Sequence, residues 1–190
     1  MGLRVSFELD DEDLKHFRLI MRESRKAAAR QAPEEIVASA EELLGEIQES
    51  RVPRFIAERL GNLKIMIQML KDHEWRLPGA ESTRVLNALA YFTEPEDLIP
   101  DHIPGVGFLD DAIMVELLVR ELKHEIEAYI DFCDFRAKQQ PKPGIKRKTT
   151  DMTRDQWLQQ RRDELQSRMR RRRKRSSSDG ADGPGPLGLL

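Results

Sequence analysis

The sequence predicts an all-α protein with about five helices in residues 10–136, followed by a basic tail that is partly helical and partly disordered. Three observations lead to this prediction. Apolar residues recur at the i, i+3, i+4 spacing of amphipathic helices in several separate segments. Proline or glycine separates most of those segments, as expected where helices begin and end. The 190-residue chain is 39% hydrophobic and 35% charged, a mixture that fits helices with one exposed face.

The first three helices each begin at a recognisable signal. Residues 5–9 alternate between apolar and polar side chains, which predicts a short extended lead-in. Acidic residues within 10–13 then favour a helix N-terminus, and this helix is expected to run to about Arg30. Pro33 and Pro53 suit the starts of the second and third helices, because proline fixes φ there without removing a helical hydrogen bond.

The fourth and fifth helices are the most apolar. The stretch TRVLNALAYF, residues 83–92, is apolar on most faces, as expected of a helix surrounded by others. A fifth helix over residues 108–135 has the strongest helical periodicity in the chain. Its apolar positions are Val115, Leu118, Val119, Leu122, Ile126, Tyr129, Ile130 and Cys133. Charged residues interrupt it, and no apolar run approaches the roughly 18 residues of a membrane span, so no transmembrane helix is expected.

An unusual segment, EPEDLIPDHIPGVGFLDD, joins the fourth helix to the fifth at residues 94–111, and we call it the corner. It holds six carboxylates, three prolines and two glycines. The prolines fix φ and cannot donate a backbone hydrogen bond, which predicts a helix–turn–helix rather than one straight helix. The candidate site residues of the corner are Asp97, Pro100, Asp101, Pro104, Gly107, Asp110 and Asp111.

Two kinds of role are open for the aspartates of the corner. In a structural role, Asp97 and Asp101 accept hydrogen bonds from amides one or two residues on, and Asp110 and Asp111 face the first turn of the next helix. In a functional role, the corner contacts a protein partner or a lipid headgroup, or the four aspartates bind a hard cation such as Mg²⁺ or Ca²⁺. The D-x-D-x-D-G spacing of a calcium-binding loop is missing, and the question of a metal stays open.

Charge divides the chain into an acidic body and a basic tail. Residues 1–140 hold 18 Lys and Arg against 28 Asp and Glu, a net charge of −10, whereas residues 141–190 hold 14 against 6, a net charge of +8. We therefore expect a helical domain at 1–138, a linker at 139–150, and a tail at 151–190 that is helical at first and then disordered.

The tail holds a run of seven cations within eight residues. They are Arg168, Arg170, Arg171, Arg172, Arg173, Lys174 and Arg175. Such a run can neutralise the phosphates of nucleic acid, lie on an anionic membrane, or fold back onto the acidic body. Only Trp157 is near enough to stack on a base, so sequence-specific recognition of RNA is not expected.

Three common catalytic motifs are absent from the sequence. It lacks the Gly-x-Ser-x-Gly of serine hydrolases, a phosphate-binding glycine loop with its lysine, and a Cys–His nucleophile pair. With one cysteine, Cys133, an intrachain disulfide and a zinc site built on cysteines alone are excluded, and a reducing compartment is favoured. The sequence therefore favours a non-catalytic protein, and no cofactor is expected.

The corner and its flanks resemble the YkvA-like domain of unknown function over about residues 81–130. That family carries an aromatic helix end, a Pro-x-Asp-Leu-Ile-Pro-Asp run, an Ile-Pro pair, a glycine, and a Leu-Asp-Asp helix start. The matching positions are Tyr91, Pro95, Asp97, Leu98, Ile99, Pro100, Asp101, Ile103, Pro104, Gly107, Leu109, Asp110 and Asp111. The resemblance implies a small helical module, often bacterial and often linked to membranes, with no settled activity. Family members that continue with a hydrophobic segment could enter a bilayer, whereas this chain continues with a charged helix through Arg136.

Together these features give one main functional hypothesis and two alternatives. The main hypothesis is a non-catalytic helical module, cytoplasmic and able to lie at the membrane periphery. It acts at a membrane surface or on a protein partner through the corner, and the tail adds electrostatic attraction. The first alternative is an accessory protein that binds nucleic acid through the tail. The second is an enzyme that depends on a divalent metal held by the aspartates of the corner.

Overall fold

The computed structural model describes residues 10–28, 30–49, 52–93, 99, 107–138 and 153–179. Within these ranges every regular element is a helix, which confirms the all-α prediction. The elements are α1 (Asp11–Ala28), α2 (Pro33–Glu49), α3 (Arg54–Lys71), α4 (Gly79–Leu89), a short 3-10 helix (Ala90–Thr93), α5 (Leu109–Glu121), α6 (Lys123–Lys138) and α7 (Arg154–Asp179).

Three features that the sequence predicts lie outside the described residues. They are the extended lead-in at 5–9, the linker at 139–150, and the end of the tail beyond residue 179. The division of the chain into a domain and a separate tail depends on that linker, so it stays a prediction.

The hydrophobic core is built around α3, which contacts α2, α4, α5 and α6. This helix buries an apolar side chain on nearly every turn of its inner face. Its buried residues are Ile56, Leu60, Leu63, Met66, Ile67 and Met69. On α5, Val115 and Leu118 are fully buried. Beyond the end of α3, the indole of Trp75 packs against the ring of Phe132 on α6, with centroids 5.1 Å apart. Aromatic pairs at such distances contribute about 1 kcal/mol beyond the area they bury.

The long fifth helix predicted over residues 108–135 is instead two helices that meet at Leu122. This residue has φ −95° and ψ 16°, outside the helical region. The helical hydrogen bonds continue across it, because the amide of Leu122 donates to the carbonyl of Leu118 at 2.8 Å and the amide of Ile126 donates to that of Leu122 at 2.9 Å. Leu122 stays fully buried, so the bend keeps the apolar stripe directed at the core on both sides.

The C-terminal helix α7 packs against α6 and shares the core. The sequence places a helix at about 151–175, and α7 extends it to Asp179. The buried apolar side chains of α7 are Leu158, Leu165 and Met169. Gln166 is also buried, and its amide donates to the backbone carbonyl of Trp75 at 3.0 Å. A buried polar side chain is stabilising only with such a partner, so Gln166 fixes α7 against the segment that follows α3.

Within the described residues, no helix combines the length and the apolar character that crossing a membrane requires.

The central position of α5 against α3 gives a test of the fold. We expect Leu118→Ala to lower the free energy of unfolding by about 3 kcal/mol, because it leaves a cavity in a fully buried site. Leu19→Ala on α1 is the matched control, since that leucine is 48% exposed and its loss should change stability by less than about 0.5 kcal/mol. Urea unfolding followed by circular dichroism measures both, and equal effects of the two variants would contradict this packing.

Candidate functional site

Phe108, the residue of the corner directly before α5, has a strained backbone and an anchored side chain. Its φ of 62° lies in the left-handed region, which costs a non-glycine residue about 1–2 kcal/mol. Its side chain is only 3% exposed and belongs to the core. Burying a phenylalanine side chain contributes about 2–3 kcal/mol, which exceeds the backbone cost. The ring of Phe108 therefore fixes the end of the corner to the bundle, and Gly107 lies in the turn before it.

Asp110 joins the corner to α5 across eleven residues. It lies in the first turn of α5 and is 1% exposed. Its Oδ2 accepts a hydrogen bond from the backbone amide of Ile99 at 3.0 Å. The sequence predicts that this carboxylate faces the first amides of α5. Its hydrogen bond instead comes from the amide of a residue earlier in the corner. The N-cap residue of α5, Phe108, makes no side-chain cap hydrogen bond. The other oxygen, Oδ1, is buried and makes no hydrogen bond with the described residues.

Asp111 is also buried, at 4% exposed, so the two described aspartates of the corner present little acidic surface to solvent. The other candidate residues of the corner lie outside the described residues. They are Asp97, Pro100, Asp101 and Pro104. In the ranges that the structure covers, no three His, Cys, Asp or Glu side chains are placed to hold a metal ion. The hypothesis of a metal at the corner depends on Asp97 and Asp101, and it stays a hypothesis.

The seven cations predicted to contact an anionic partner all lie on α7, and they divide into two sets. The inner set makes ion pairs with carboxylates of the body and comprises Arg168, Arg170, Arg172 and Arg173. The outer set is exposed, makes no ion pair with the described residues, and comprises Arg171, Lys174 and Arg175. The spacing of the outer set, i, i+3, i+4, places all three on one face of the helix.

Two of the inner pairs are at the surface. Arg172 Nη1 lies 2.9 Å from Glu127 Oε2, and Arg168 pairs with Asp131. Both carboxylates belong to α6, and all four side chains are between 38% and 52% exposed. Exposed pairs of this kind contribute less than about 1 kcal/mol each, so they orient α7 without fixing it.

The other inner pairs are made to two buried glutamates, and we call Glu81, Arg84, Glu125, Arg170 and Arg173 the glutamate–arginine cluster. Glu81 of α4 is 2% exposed and Glu125 of α6 is fully buried. Arg170 Nε lies 3.1 Å from Glu81 Oε1. Arg173 contacts both glutamates, with Nη2 3.4 Å from Glu81 Oε1 and Nη1 2.9 Å from Glu125 Oε1. Arg84 Nε lies 3.2 Å from the same oxygen of Glu125.

The fold depends on the glutamate–arginine cluster, because a buried carboxylate without partners costs several kcal/mol. Burial raises the pKa of Glu81, but the hydrogen bond and charge of Arg170, with the charge of Arg173, outweigh burial and hold that pKa below its ordinary value. The carboxylate therefore stays charged when the protein is folded near neutral pH. Glu125 Oε2 is buried and makes no hydrogen bond with the described residues, so the ion pairs of this glutamate are made through Oε1.

Glu74, in the segment after α3, holds the start of α7. Its Oε1 lies 2.7 Å from Arg154 of α7 and its Oε2 lies 3.0 Å from Arg136 of α6. Its backbone carbonyl accepts a hydrogen bond from Arg162 at 3.1 Å. The hydrogen bond from Arg154 is the main cause of a lowered pKa at Glu74, opposed by burial and reinforced by Arg136. One short segment thus connects both C-terminal helices.

The sequence did not single out Glu81 or Glu125, although it contains a signal for each. Glu81 lies at helical spacing from Val85, Ala88 and Leu89, which are buried on the same helix. Glu125 directly precedes Ile126 and is one turn from the buried Tyr129. A glutamate in register with an apolar stripe is a candidate for a buried ion pair, because that face of the helix is the one removed from water.

Comparison with known proteins places the chain near proteins without an assigned function. A family model described as "Protein of unknown function (DUF1232)" matches residues 83–117, which run from α4 through the corner into α5. The uncharacterized membrane protein YkvA of Bacillus subtilis (strain 168) is 35% identical over 74 residues, which cover 36% of this chain and 68% of that protein. No solved structure matches the chain.

The lowered pKa of Glu81 gives a prediction with a defined pH dependence. We expect Glu81→Gln to lower the free energy of unfolding by about 2 kcal/mol at neutral pH, because it removes charged hydrogen bonds. A carboxyl whose pKa is lower in the folded state adds stability above its unfolded pKa, about 4.3, and loses it as the pH falls through the folded pKa. The difference between wild type and variant should therefore vanish in acid.

Glu58→Gln is the matched control for this measurement. Glu58 also pairs with an arginine, Arg54, but its side chain is 57% exposed. Its substitution should change stability by less than about 1 kcal/mol at any pH. Urea unfolding over a pH series measures all three proteins, and a Glu81→Gln difference that persists unchanged in acid would contradict the charged state of Glu81.

The contact between Asp110 and the amide of Ile99 gives a second prediction. We expect Asp110→Ala to lower the free energy of unfolding by about 2 kcal/mol, because it leaves the amide of Ile99 without its acceptor and empties a buried position. Asp134→Ala on the exposed side of α6 is the control and should be nearly neutral. Thermal unfolding measures both, and a neutral Asp110→Ala would show that this contact does not hold the corner.

Proposed function

The chain belongs to the YkvA-like family of unknown function described as DUF1232, and from that premise we propose that it is a non-catalytic helical module that binds an anionic membrane surface. The observation that carries this proposal is the outer set of cations on α7, Arg171, Lys174 and Arg175, which are exposed and have no acidic partner among the described residues. The residues that match the family model do not include α7, so the proposal depends on the side chains of this chain and not on the family.

The strength of such a contact follows from the number of free cations. A lysine or arginine near an anionic membrane contributes about 1 kcal/mol, so three contribute about 3 kcal/mol, or about a hundredfold in affinity. The inner set adds little, because its guanidinium groups already pair with carboxylates. The resulting attachment is peripheral, reversible and weakened by salt.

The position of Trp157 also favours the outer face of α7 as the surface that contacts the membrane. It is 38% exposed and precedes Arg171 by about four helical turns, which places both side chains on one side of the helix. Tryptophan favours the interface between lipid headgroups and the hydrocarbon region, where its ring is buried and its N–H stays near water. The relative YkvA is named a membrane protein, which agrees with a membrane as the partner.

The other hypotheses make different demands on the same residues. A nucleic acid would also be attracted by the outer cations, but α7 offers a single exposed aromatic ring for stacking. A protein partner at the corner would have to use its undescribed residues, because Asp110 and Asp111 are buried. The outer face of α7 is therefore the surface that we test.

We expect the full-length chain to sediment with vesicles of phosphatidylcholine and phosphatidylserine and not with vesicles of phosphatidylcholine alone. The triple variant Arg171→Gln, Lys174→Gln, Arg175→Gln should lose about a hundredfold in affinity, because it removes all three free charges. The control variant Lys15→Gln, Arg22→Gln, Arg59→Gln removes the same charge from exposed positions on α1 and α3 and should bind as the wild type does.

Two outcomes would contradict the proposal. Equal losses in the two triple variants would mean that net charge, and not the outer face of α7, controls binding. The second outcome is tight binding to duplex DNA under conditions in which neither kind of vesicle binds. It would mean that the outer face of α7 binds nucleic acid and not a membrane. Loss of vesicle binding as salt rises is expected, since the contact is electrostatic.

A further inference from the structure

A trough of about 550 Å³ runs along α3, with α2 and α6 as its walls. Each helix contributes one face to it. The floor is formed by Lys64, Ile67, Gln68 and Lys71, which recur at i, i+3, i+4 and i+7 on α3. A volume of this size is within the range of small-molecule sites, which also favour the spaces between helices of a bundle. The trough is separate from the corner and from the outer face of α7, so its role is independent of membrane binding.

One end of the trough is a rigid polar wall. The hydroxyl of Tyr129 donates to Asp72 Oδ2 at 3.1 Å, and Arg136 Nη1 lies 2.7 Å from the same oxygen. Asp72 Oδ1 accepts the backbone amides of Glu74 and Trp75 at 2.9 and 3.0 Å. Four donors thus fix one carboxylate, and the wall does not need to rearrange when a ligand enters. Burial is the main cause of a raised pKa at Tyr129, so the phenol stays protonated.

The charges in the trough are balanced with one exception. Arg136 is neutralised by Asp72 and Glu74, and Lys71 Nζ lies 2.6 Å from Glu41 Oε1 at the rim. Lys64 lines the trough, is exposed, and makes no ion pair with the described residues. One positive charge, on Lys64 of α3, is therefore left for a ligand.

Apolar surface lies next to this free charge. Leu44 of α2 is half-buried and lines a wall of the trough, and Ile67, one turn from Lys64 on α3, adds only a small apolar patch because it is 4% exposed. Cys133 of α6 adds a half-buried thiol near the polar end. An exposed ammonium group close to aliphatic side chains suits a molecule with an anionic head and an apolar body. The head pairs with the ammonium group, and the body covers the apolar side chains.

We infer that the trough binds a small amphiphilic carboxylate, with its carboxylate on Lys64 and its apolar body against the α2 wall at Leu44. A carboxylate fits better than a phosphate ester, because a single free cation balances one negative charge and no helix N-terminus lines the trough to supply amide donors. The free amides of Gln48 and Gln68, which make no hydrogen bond with the described residues, supply further donors to the head.

Cys133 allows this inference to be tested on the full-length chain without labelling any other position, because it is the single cysteine of the protein. Octanoate is the probe. Octan-1-ol, which has the apolar chain without the charge, and inorganic phosphate, which has negative charge without the chain, are the controls. The rate at which N-ethylmaleimide alkylates Cys133 is measured against the concentration of each compound. We expect octanoate to slow the reaction in a saturable way, and octan-1-ol and phosphate to be much weaker.

Two variants locate the protection. Lys64→Gln should weaken the apparent affinity for octanoate about tenfold, because it removes the charge-assisted contact to the carboxylate. Leu44→Trp should abolish protection by filling the trough. Lys15→Gln, which removes an exposed charge from α1, should behave as the wild type, and circular dichroism shows whether each variant is folded.

The inference is overturned if octanoate gives no protection, if Lys64→Gln and wild type are protected equally, or if octan-1-ol or phosphate protects as well as octanoate does. The triple variant on the outer face of α7 should keep its protection by octanoate. Failure of membrane binding and failure of this site are therefore distinguishable.

Discussion

The arrangement of this bundle depends on two carboxylates that are removed from water. Glu81 and Glu125 come from different helices, and an unpaired charge at either position would cost several kcal/mol. Arg84 lies on the same helix as Glu81 but pairs with Glu125. Arg170 and Arg173 of α7 complete the neutralisation, from positions 89 residues after Glu81 and 48 residues after Glu125. Folding of the body and docking of the C-terminal helix are therefore energetically connected.

This connection gives α7 two faces with different roles. Its inner face carries arginines that serve the interior, together with the buried Leu165 and Gln166. Its outer face keeps Arg171, Lys174 and Arg175 for solvent or a partner. Of the seven cations in this eight-residue segment, three have no acidic partner among the described residues. The trough along α3 lies on the side walled by α2 and α6, so the two proposed binding surfaces can be occupied together.

Sequence reasoning was most successful where a residue type fixes the backbone by itself. Pro33 begins α2 and Pro53 lies at the cap of α3, as their fixed φ predicts. The bend at Leu122 was not predictable in this way, because no proline or glycine in the sequence marks it. The roles of Glu81 and Arg170 were not predictable either. Their pairing joins positions 89 residues apart, and helical periodicity carries no information about contacts between distant segments.

The central claim, that α7 is an integral part of the bundle, is tested most directly by hydrogen–deuterium exchange of the full-length chain. Amides near Leu165 of α7 should exchange as slowly as those near Phe132 of α6, because both side chains are fully buried in one core. Substituting Glu81 and Glu125 together by glutamine should accelerate exchange in α7 before it does so in α3. Exchange throughout α7 at the rate of an unfolded peptide, while α3 and α6 remain protected, would contradict the account.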